Sequence, residues 1–360
     1  MYPMVPGSTV TLERGKDGMV GLTIGGGAPY CPSLYVVQVF ENTPAWKEGT
    51  LKAGDELMAV NTRSLKGMTK VQAAKFIQRI DGDVTFTYAK LTVDTNHFKE
   101  AKGLDMVMKK VKHKCIERMS SGTADKLGLT RAVLCNDDLA KKLEEFERNA
   151  KFYKEMIVRS HYLLLDFNAV CGVYKGMGDL FSQIAVREKC AANEAFTIFA
   201  DTHRNYHKAG SEFQKKAAPI MNKLGTYLHK AVPDMRLTIK KYANAKFEYL
   251  AYCLKIKEMD DEEYTFNSLD DPLPRVEEGN YEYRVVLRCR AQARAYFLQL
   301  RSDVRVKLQL LNSKHVQDLT VQLEQWTKVQ LAYYEEAAAI SDKANVFPID
   351  IDLSTVVDAQ

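Results

Sequence analysis

Short apolar runs separated by turn residues fill the first ninety positions of the chain. Alternating apolar and polar side chains are typical of strands with one buried face. Such runs predict strands near Val10–Leu12, Val20–Ile24, Ser33–Phe40, Gly54–Asn61 and Asp83–Leu91. Two helix starts interrupt them, one at Thr43-Pro44 and one at Thr69, which precedes a helix over Lys70–Ile80. The pattern predicts a compact domain over residues 8–91, preceded by an N-terminal extension of residues 1–7.

Beyond residue 136 the apolar period changes to that of an α-helix. Three very long helices are predicted, covering about 137–186, 193–266 and 281–342. Pro219 and Pro233 lie inside the second helix, where proline bends so long an element rather than ending it. The pattern predicts an all-α domain of three kinked helices over residues 137–345, followed by a tail of residues 346–360. The fold class is therefore α+β multidomain.

An apolar stripe with coiled-coil-like spacing runs along the third helix. Its members are Leu300, Val304, Leu308, Leu311, Leu319, Leu323 and Trp326. Helices of 50 to 70 residues would be about 75–105 Å long at 1.5 Å per residue. Three such helices alone are not expected to cover their own stripes, so the sequence predicts a homodimer.

Residues 92–136 form a predicted linker with an amphipathic helix at about 104–119. Apolar side chains at helical spacing, among them Val107 and Val111, alternate with clustered lysines. This pattern suits a helix lying in a membrane surface. It suits equally a linker helix that docks onto a neighbouring domain, and the sequence leaves both open.

Composition is that of a globular protein, with 46% hydrophobic and 27% charged residues in 360. No apolar run is long enough to span a membrane, and the first residues lack the features of a secretory signal. Seven scattered cysteines indicate reduced thiols, and the net charge of +5 is too small to indicate nucleic acid. We expect a cytoplasmic protein that associates peripherally with membranes.

Enzyme chemistry finds little support in the residues. The glycine-rich run at Gly21–Gly27 lacks a phosphate-binding fingerprint, and no nucleophile–histidine arrangement stands out. The pair His203 and His207 has no third ligand, so no metal or cofactor is expected. The sequence predicts a protein that is not an enzyme.

The segment Met19–Ile24, followed later by Gly54–Asn61, resembles the carboxylate-binding loop and a core strand of a PDZ domain. Glycine lets successive N–H groups of such a loop converge on a carboxylate. The resemblance implies a peptide groove between the strand and the following helix. Its predicted residues are Met19, Val20, Gly21, Leu22, Thr23, Ile24, Lys70, Val71, Ala74 and Ile77.

This groove is expected to bind a free C-terminal Val, Leu or Ile. Burial of the last ligand side chain against Val20, Leu22, Ala74 and Ile77 contributes about 1.5–3 kcal/mol. Lys70 stands where PDZ domains selective for Ser or Thr usually carry His. We therefore expect hydrophobic residues to be tolerated at the third-last ligand position.

The order of PDZ domain, basic amphipathic linker and kinked three-helix region resembles the PDZ–BAR scaffold family over the whole chain. Segments that carry the resemblance include Ile24–Ala28, Val37–Phe40, Met119–Asp125, Lys255–Tyr264 and Lys314–Asp318. The resemblance implies an arfaptin-like BAR domain that forms a crescent dimer and binds curved, anionic phospholipid membranes. The positions matching the family's lipid-contacting lysines are Lys240, Lys241, Lys246, Lys255 and Lys257.

The resemblance also implies partners: the C-terminal tails of receptors and transporters, and protein kinase C. It implies a scaffold that clusters and traffics membrane proteins at vesicular, perinuclear, synaptic or plasma membranes. The alternative is a PDZ adaptor on a dimeric coiled-coil stalk that does not touch lipid.

Two departures from the family pattern bear on metal and actin. Where the family has a Cys-Pro-Cys element linked to zinc, this chain reads Cys31-Pro32-Ser33, so Cys31 is only a weak zinc candidate. The family's acidic tail, linked to the actin machinery, has no counterpart in Val356–Gln360. A zinc site and an actin-related role are therefore not expected to carry over.

Overall fold

The computed structural model describes residues 7–15, 18–92, 103–118, 137–189, 191–269 and 273–349. The Met119–Asp125 segment, the final residues of the chain and most of the N-terminal extension lie outside this set. Two compact units divide the chain. The first contains residues 1–135 and 239–303, and the second contains residues 136–238 and 304–360.

In the N-terminal part of the first unit, the described residues form six strands and two short helices. The strands are β1 Ser8–Leu12, β2 Leu22–Gly26, β3 Leu34–Val39, β4 Glu56–Val60, β5 Arg63–Ser64 and β6 Val84–Ala89. The helices are α1 Pro44–Glu48 and α2 Lys70–Gln78. All strands belong to one antiparallel sheet in the order β1-β6-β4-β3-β2, with β5 paired to β4. β2 is therefore an edge strand.

This sheet has its own hydrophobic core. The largest fully buried side chains include Leu12, Phe86 and Tyr88, which alternate inward from β1 and β6 as the period of two predicts. Thr69 caps α2 with a complete capping box: its hydroxyl accepts the Gln72 N–H at 3.2 Å, and the Gln72 side chain accepts the Thr69 N–H at 3.0 Å. The predicted start of α2 is confirmed.

Six further helices follow within the described residues. They are α3 Gly103–Arg118, α4 Asp137–Ala185, α5 Ala191–Thr226, α6 Val232–Asn267, the four-residue α7 Pro274–Glu277 and α8 Tyr281–Asp342. The predicted loop before α8 thus contains one helical turn. Among the described residues, no helix is both long enough and apolar enough to cross a membrane.

A single π-helical turn, Tyr227–Ala231, joins α5 to α6. Pro233 follows it and has no N–H to give to the carbonyl four residues earlier. Instead the Val232 N–H bonds back five residues to the Tyr227 carbonyl, which is the π-helical pattern. Pro219 lies within α5, whose helical assignment continues through it.

A second core in the first unit joins the sheet domain to the helices. Tyr35, Ala53 and Leu91 from the sheet domain pack in one cluster with Tyr252 of α6 and Leu287 of α8. Arginines of α8 bond to the turn before β4: Arg284 Nε donates to the Gly54 carbonyl at 2.9 Å, and Arg288 Nε donates to the Ala53 carbonyl at 2.7 Å. Both apolar packing and charge-assisted hydrogen bonds hold the sheet domain on α6 and α8.

The apolar stripe of α8 is covered over its first half, so the prediction that three helices leave it uncovered is wrong there. Leu300, Val304 and Leu308 are buried inside the chain, at 9%, 0% and 2% exposure. Farther along the helix, Leu323 is 45% exposed. Intramolecular packing covers the N-terminal part of the stripe, which periodicity alone could not indicate.

Candidate functional site

The edge strand β2 and helix α2, which border the predicted groove, contact one another. On its other side β2 pairs with β3, so one strand edge of β2 is open within the part of the chain that the structure describes. An open edge offers backbone donors and acceptors to an added strand. The end of the groove away from the loop is fixed by a Gly27–Thr69 bridge and by the Ala28 N–H, which donates to the Met68 carbonyl at 3.1 Å.

The loop before β2 depends on Gly21. Its φ is +89°, and a Cβ at this position would lie 2.0 Å from the Cβ of Thr43. The Gly21 carbonyl accepts the Phe40 N–H at 2.9 Å, while the Val20 carbonyl accepts the Ala45 N–H at 3.1 Å. These bonds fix the orientation of the loop peptides from the protein side.

Thr43 occupies the predicted N-cap position of α1 but does not cap the helix. Its hydroxyl donates to the Phe40 carbonyl at 2.6 Å and contacts the Gly21 carbonyl at 3.4 Å. The side chain therefore supports the loop of the groove rather than the helix that it precedes.

Arg14 supports the loop before β2, a role that the sequence did not predict. Its guanidinium donates to the Gly18 carbonyl at 2.5 Å and also to the Ile77 carbonyl. The same side chain thus ties the loop to the last turn of α2. A basic residue directly before a glycine-rich loop was the only signal in the sequence.

The predicted groove residues differ in exposure. Val20 and Ile77 are buried at 6% each, and Gly21, Leu22, Ile24 and Ala74 are half-buried. Met19, Thr23, Lys70 and Val71 are exposed. Half-buried apolar side chains above a buried floor can cover a ligand side chain. The docking contacts to α8 described above come from β3, β4 and the turn before β4, not from these residues.

The five lysines predicted to contact lipid occupy two kinds of environment. Lys240, Lys241 and Lys257 are exposed and make no ion pair within the described ranges. Lys255 is half-buried and lies 3.5 Å from Asp105 of α3, and Lys246 is half-buried with its ammonium 5.8 Å from the Phe247 ring centroid. Arg236, about one helical turn before Lys240, forms a bidentate ion pair with Glu147 at 3.0 and 2.7 Å.

Helix α3 is docked on α6 through charged side chains. Lys109 lies 2.8 Å from Glu258, and Lys110 lies 3.2 Å from Glu248. Asp105 contacts both Lys109 and Lys255, and these lysines hold the pKa of that carboxyl below its usual range. The docked face contains the buried Met106 and Lys109.

Within the described residues, apolar positions of α3 other than Met106 are exposed. Val107 and Val111 are 54% and 52% exposed, and Leu104 and Met108 are exposed as well. The helix therefore docks by one face and presents an apolar stripe on another.

Cys31 is buried, and its thiol donates to the Ser33 carbonyl at 3.3 Å. Burial raises the pKa of this thiol, which disfavours the thiolate that zinc requires. Among the described residues, no group of three His, Cys, Asp or Glu side chains could hold a metal ion. His203 and His207 bond to different carbonyls, those of Phe199 and Cys171, at 2.9 Å each.

Comparison with known proteins places these features in a family. A sequence model of the PDZ domain matches residues 9–89, and a model described as the Arfaptin-like domain matches residues 107–340. The chain is 54% identical to the PRKCA-binding proteins of rat and human over 98% of its length and 84% of theirs. It is 24% identical to rat Arfaptin-1 over 80% of this chain and 76% of that one.

These matches define a protein that combines a PDZ domain with an Arfaptin-like, or BAR, helical region. The chain belongs to the family of PRKCA-binding proteins. This family is non-enzymatic. The resemblance inferred from the sequence is thereby confirmed, as is the order of a PDZ sheet domain before a long helical region.

Proposed function

We propose that this chain is a membrane-associated scaffold that captures C-terminal peptides in its PDZ groove and binds curved anionic membranes as a dimer. The open edge of β2 beside α2 carries the peptide half of the proposal. Its ligands are the C-terminal tails of membrane receptors and transporters. The relatives are named as PRKCA-binding proteins, and we include the tail of protein kinase C among the ligands.

Ligand chemistry follows from the shape of the groove. A carboxylate accepts N–H groups of the loop, and the backbone of the ligand extends along β2. Its last side chain packs against Leu22 and Ala74 above Val20 and Ile77. Lys70 and Val71 are exposed at the start of α2, where a long aliphatic stem and a valine favour an apolar third-last ligand residue.

The membrane half rests on two neighbouring features of the first unit. Lys257 is exposed near the end of α6, and α3 docks on the same part of that helix through Glu248 and Glu258. Exposed valines of α3 insert into the headgroup region, while lysines attract anionic lipid. Each lysine near an anionic surface contributes about 1 kcal/mol before salt screening.

Dimerisation supplies the avidity that such a scaffold needs. Large apolar side chains exposed along α4 suit a second copy; they include Phe152, Tyr162, Leu163, Val173 and Leu180. Two peptide contacts joined to one lipid surface raise apparent affinity by roughly 10²–10⁴ when they engage together. Light scattering tests this step, and a folded monomer of 40.8 kDa at micromolar concentration contradicts it.

Peptide capture is tested by fluorescence polarisation with a labelled peptide that ends in a free Val. Binding should be lost when the C-terminus is amidated and when Ala74→Glu places a carboxylate in the groove. Lys75→Glu is the matched control, because Lys75 is an exposed α2 residue outside the predicted groove. Equal affinity for the amidated peptide would rule out the groove as a carboxylate site.

Lipid binding separates the proposal from a coiled-coil stalk. Liposome co-sedimentation should increase with phosphatidylserine content and fall with salt. Lys240→Glu/Lys241→Glu should reduce it while leaving affinity for the soluble peptide unchanged. The control is Lys215→Glu/Lys216→Glu, which reverses two adjacent exposed lysines of α5. A stalk predicts no dependence on lipid charge in any of these proteins.

A further inference from the structure

A cavity of about 450 Å³ lies beside the π-helical turn in the second unit. We call it the kink pocket. It is lined by α4, by the end of α5, the turn and the start of α6, and by α8. Its volume falls in the range of small-molecule sites. Isolated π-helical turns within helices frequently mark functional sites.

Three aromatic rings form one wall of the kink pocket. The Tyr153 and Tyr227 ring centroids are 4.4 Å apart, and His315 lies 5.5 and 5.2 Å from them. The Tyr153 hydroxyl and His315 Nδ1 share a hydrogen bond of 2.9 Å. Burial raises the pKa of Tyr153 to about 12 and lowers the pKa of His315. The wall is therefore aromatic and uncharged near neutral pH, with its rings tilted against one another.

Lysines surround this wall. Lys223, Lys230 and Lys314 are exposed, and none of them pairs with a carboxylate of the described chain. The lining also contains Asp234 and Asp318. Asp234 forms an ion pair with Lys307 at 2.6 Å. The charge balance at the rim favours an anion, and flexible lysine ammonium groups suit phosphate oxygens.

Two buried polar atoms on the lining residues have no hydrogen-bond partner among the residues that the structure describes. They are the hydroxyl of Tyr227 and Oε1 of Gln322. An unsatisfied buried polar group costs about 1–3 kcal/mol. Gln322 Oε1 is an acceptor and calls for a donor such as an amino group, while the Tyr227 hydroxyl accepts or donates.

We propose that the kink pocket binds a nucleotide whose base carries an amino group. The base stacks on the Tyr227 ring and offers its amino group to Gln322, and the phosphates lie among Lys223, Lys230 and Lys314. Stacking of a base on an aromatic side chain is worth about 1–3 kcal/mol and needs no particular sequence context. A bound nucleotide bridges α5, α6 and α8 at the turn, so it stiffens the helical region where it bends.

The test uses the full-length protein and the fluorescent nucleotide MANT-ADP. Saturable binding is expected, with displacement by ADP and no displacement by equal concentrations of adenosine, pyrophosphate or inositol trisphosphate. Displacement by pyrophosphate or inositol trisphosphate as effective as that by ADP overturns the proposal, because charge alone would then account for binding. Absence of saturable binding up to millimolar MANT-ADP also overturns it.

Variants separate the base from the phosphates. Lys230→Glu/Lys314→Glu should weaken binding by about tenfold or more, since two attractive charges become repulsive. Lys216→Glu, an exposed α5 lysine outside the lining, should change affinity less than twofold. Tyr227→Leu should weaken binding by about tenfold through lost stacking, and Tyr227→Phe should retain it. Circular dichroism confirms that each variant is folded, and affinities unchanged in both the lysine and the Tyr227→Leu variants overturn the assignment.

Discussion

Removing the guanidinium of Arg288 is predicted to release the PDZ domain from α6 and α8. Arg288 donates to Asp55 Oδ1 at 2.6 Å and to the Ala53 carbonyl at 2.7 Å, and Asp55 is only 2% exposed. Breaking a buried ion pair by deleting one partner costs about 3–5 kcal/mol. Asp55 keeps two backbone donors, the N–H groups of Lys52 and Leu91, each at 2.9 Å, so we expect about 3 kcal/mol.

That cost has an upper limit. Because the PDZ domain has a hydrophobic core of its own, it can leave the helices without unfolding, and undocking returns Asp55 to water. The penalty therefore cannot exceed the free energy that holds the domain on the helices. The predicted result of Arg288→Ala is a shift from docked to undocked protein, with little change in the stability of the sheet itself.

Trp46 reports on this shift. It lies in α1 and lines a cavity with Arg288, Arg290 and Arg294 at the contact between the sheet domain and α8. In a Trp326→Phe background Trp46 is the only tryptophan, and its emission should move to longer wavelength in Arg288→Ala. Hydrogen exchange at the Leu91 amide should accelerate as well.

Arg294→Ala is the matched control. Arg294 pairs with Glu41, but both side chains are more than a third exposed, and surface pairs contribute about 0–1 kcal/mol. This variant should leave Trp46 emission near that of the parent. Equal spectra for the two variants would refute the distinction between the buried and the exposed pair, and with it the estimate for Asp55.

Four further outcomes follow from single sites. Gly21→Ala should abolish peptide binding in the polarisation assay, because its positive φ and the 2.0 Å contact of an added Cβ displace the loop. Thr69→Ala should lower the stability of the PDZ domain by about 1 kcal/mol in urea, and Thr69→Ser should restore it. Iodoacetamide should label exposed Cys115 well before buried Cys31, whose thiol pKa is raised by burial, as read by mass spectrometry. Burial lowers the pKa of His315 in the folded chain below its ordinary value of 6.5, so the unfolded chain binds this proton more readily. The contribution of His315 to the free energy of unfolding is therefore full above about pH 6.5 and falls as the pH decreases through that value. In His315→Gln the free energy of unfolding should depend less on pH.

Helix bounds were largely predictable because the signals are local and long. Apolar positions repeat at the helical period over dozens of residues, and the third long helix begins at Tyr281 and ends at Asp342 as its pattern predicts. The cap at Thr69 was likewise predictable, since Thr and Gln three residues apart form a capping box. In each case neighbouring residues fix the backbone.

Features that depend on distant residues were not predictable in the same way. Nothing local to Arg14 indicates that it reaches Ile77, and nothing local to Arg288 indicates that it reaches Asp55. The apolar stripe of α8 could be located from its spacing, but its partner surface could not. The burial of Val304 within the chain is therefore evident only from the structure.

Sequence and structure differ most in which basic side chains they leave available, and this difference bears on the proposed membrane surface. A count of basic side chains treats every lysine and arginine as available to lipid, yet Arg236 is held by Glu147 and Lys255 lies beside Asp105. Salt weakens exposed pairs more than buried ones, so the two half-buried lysines of α6 and the exposed Lys257 should respond differently to ionic strength. The exposed lysines then dominate the salt dependence of liposome binding, while α3, tied to α6 through Glu248 and Glu258, sets where the apolar side chains of that helix meet the lipid.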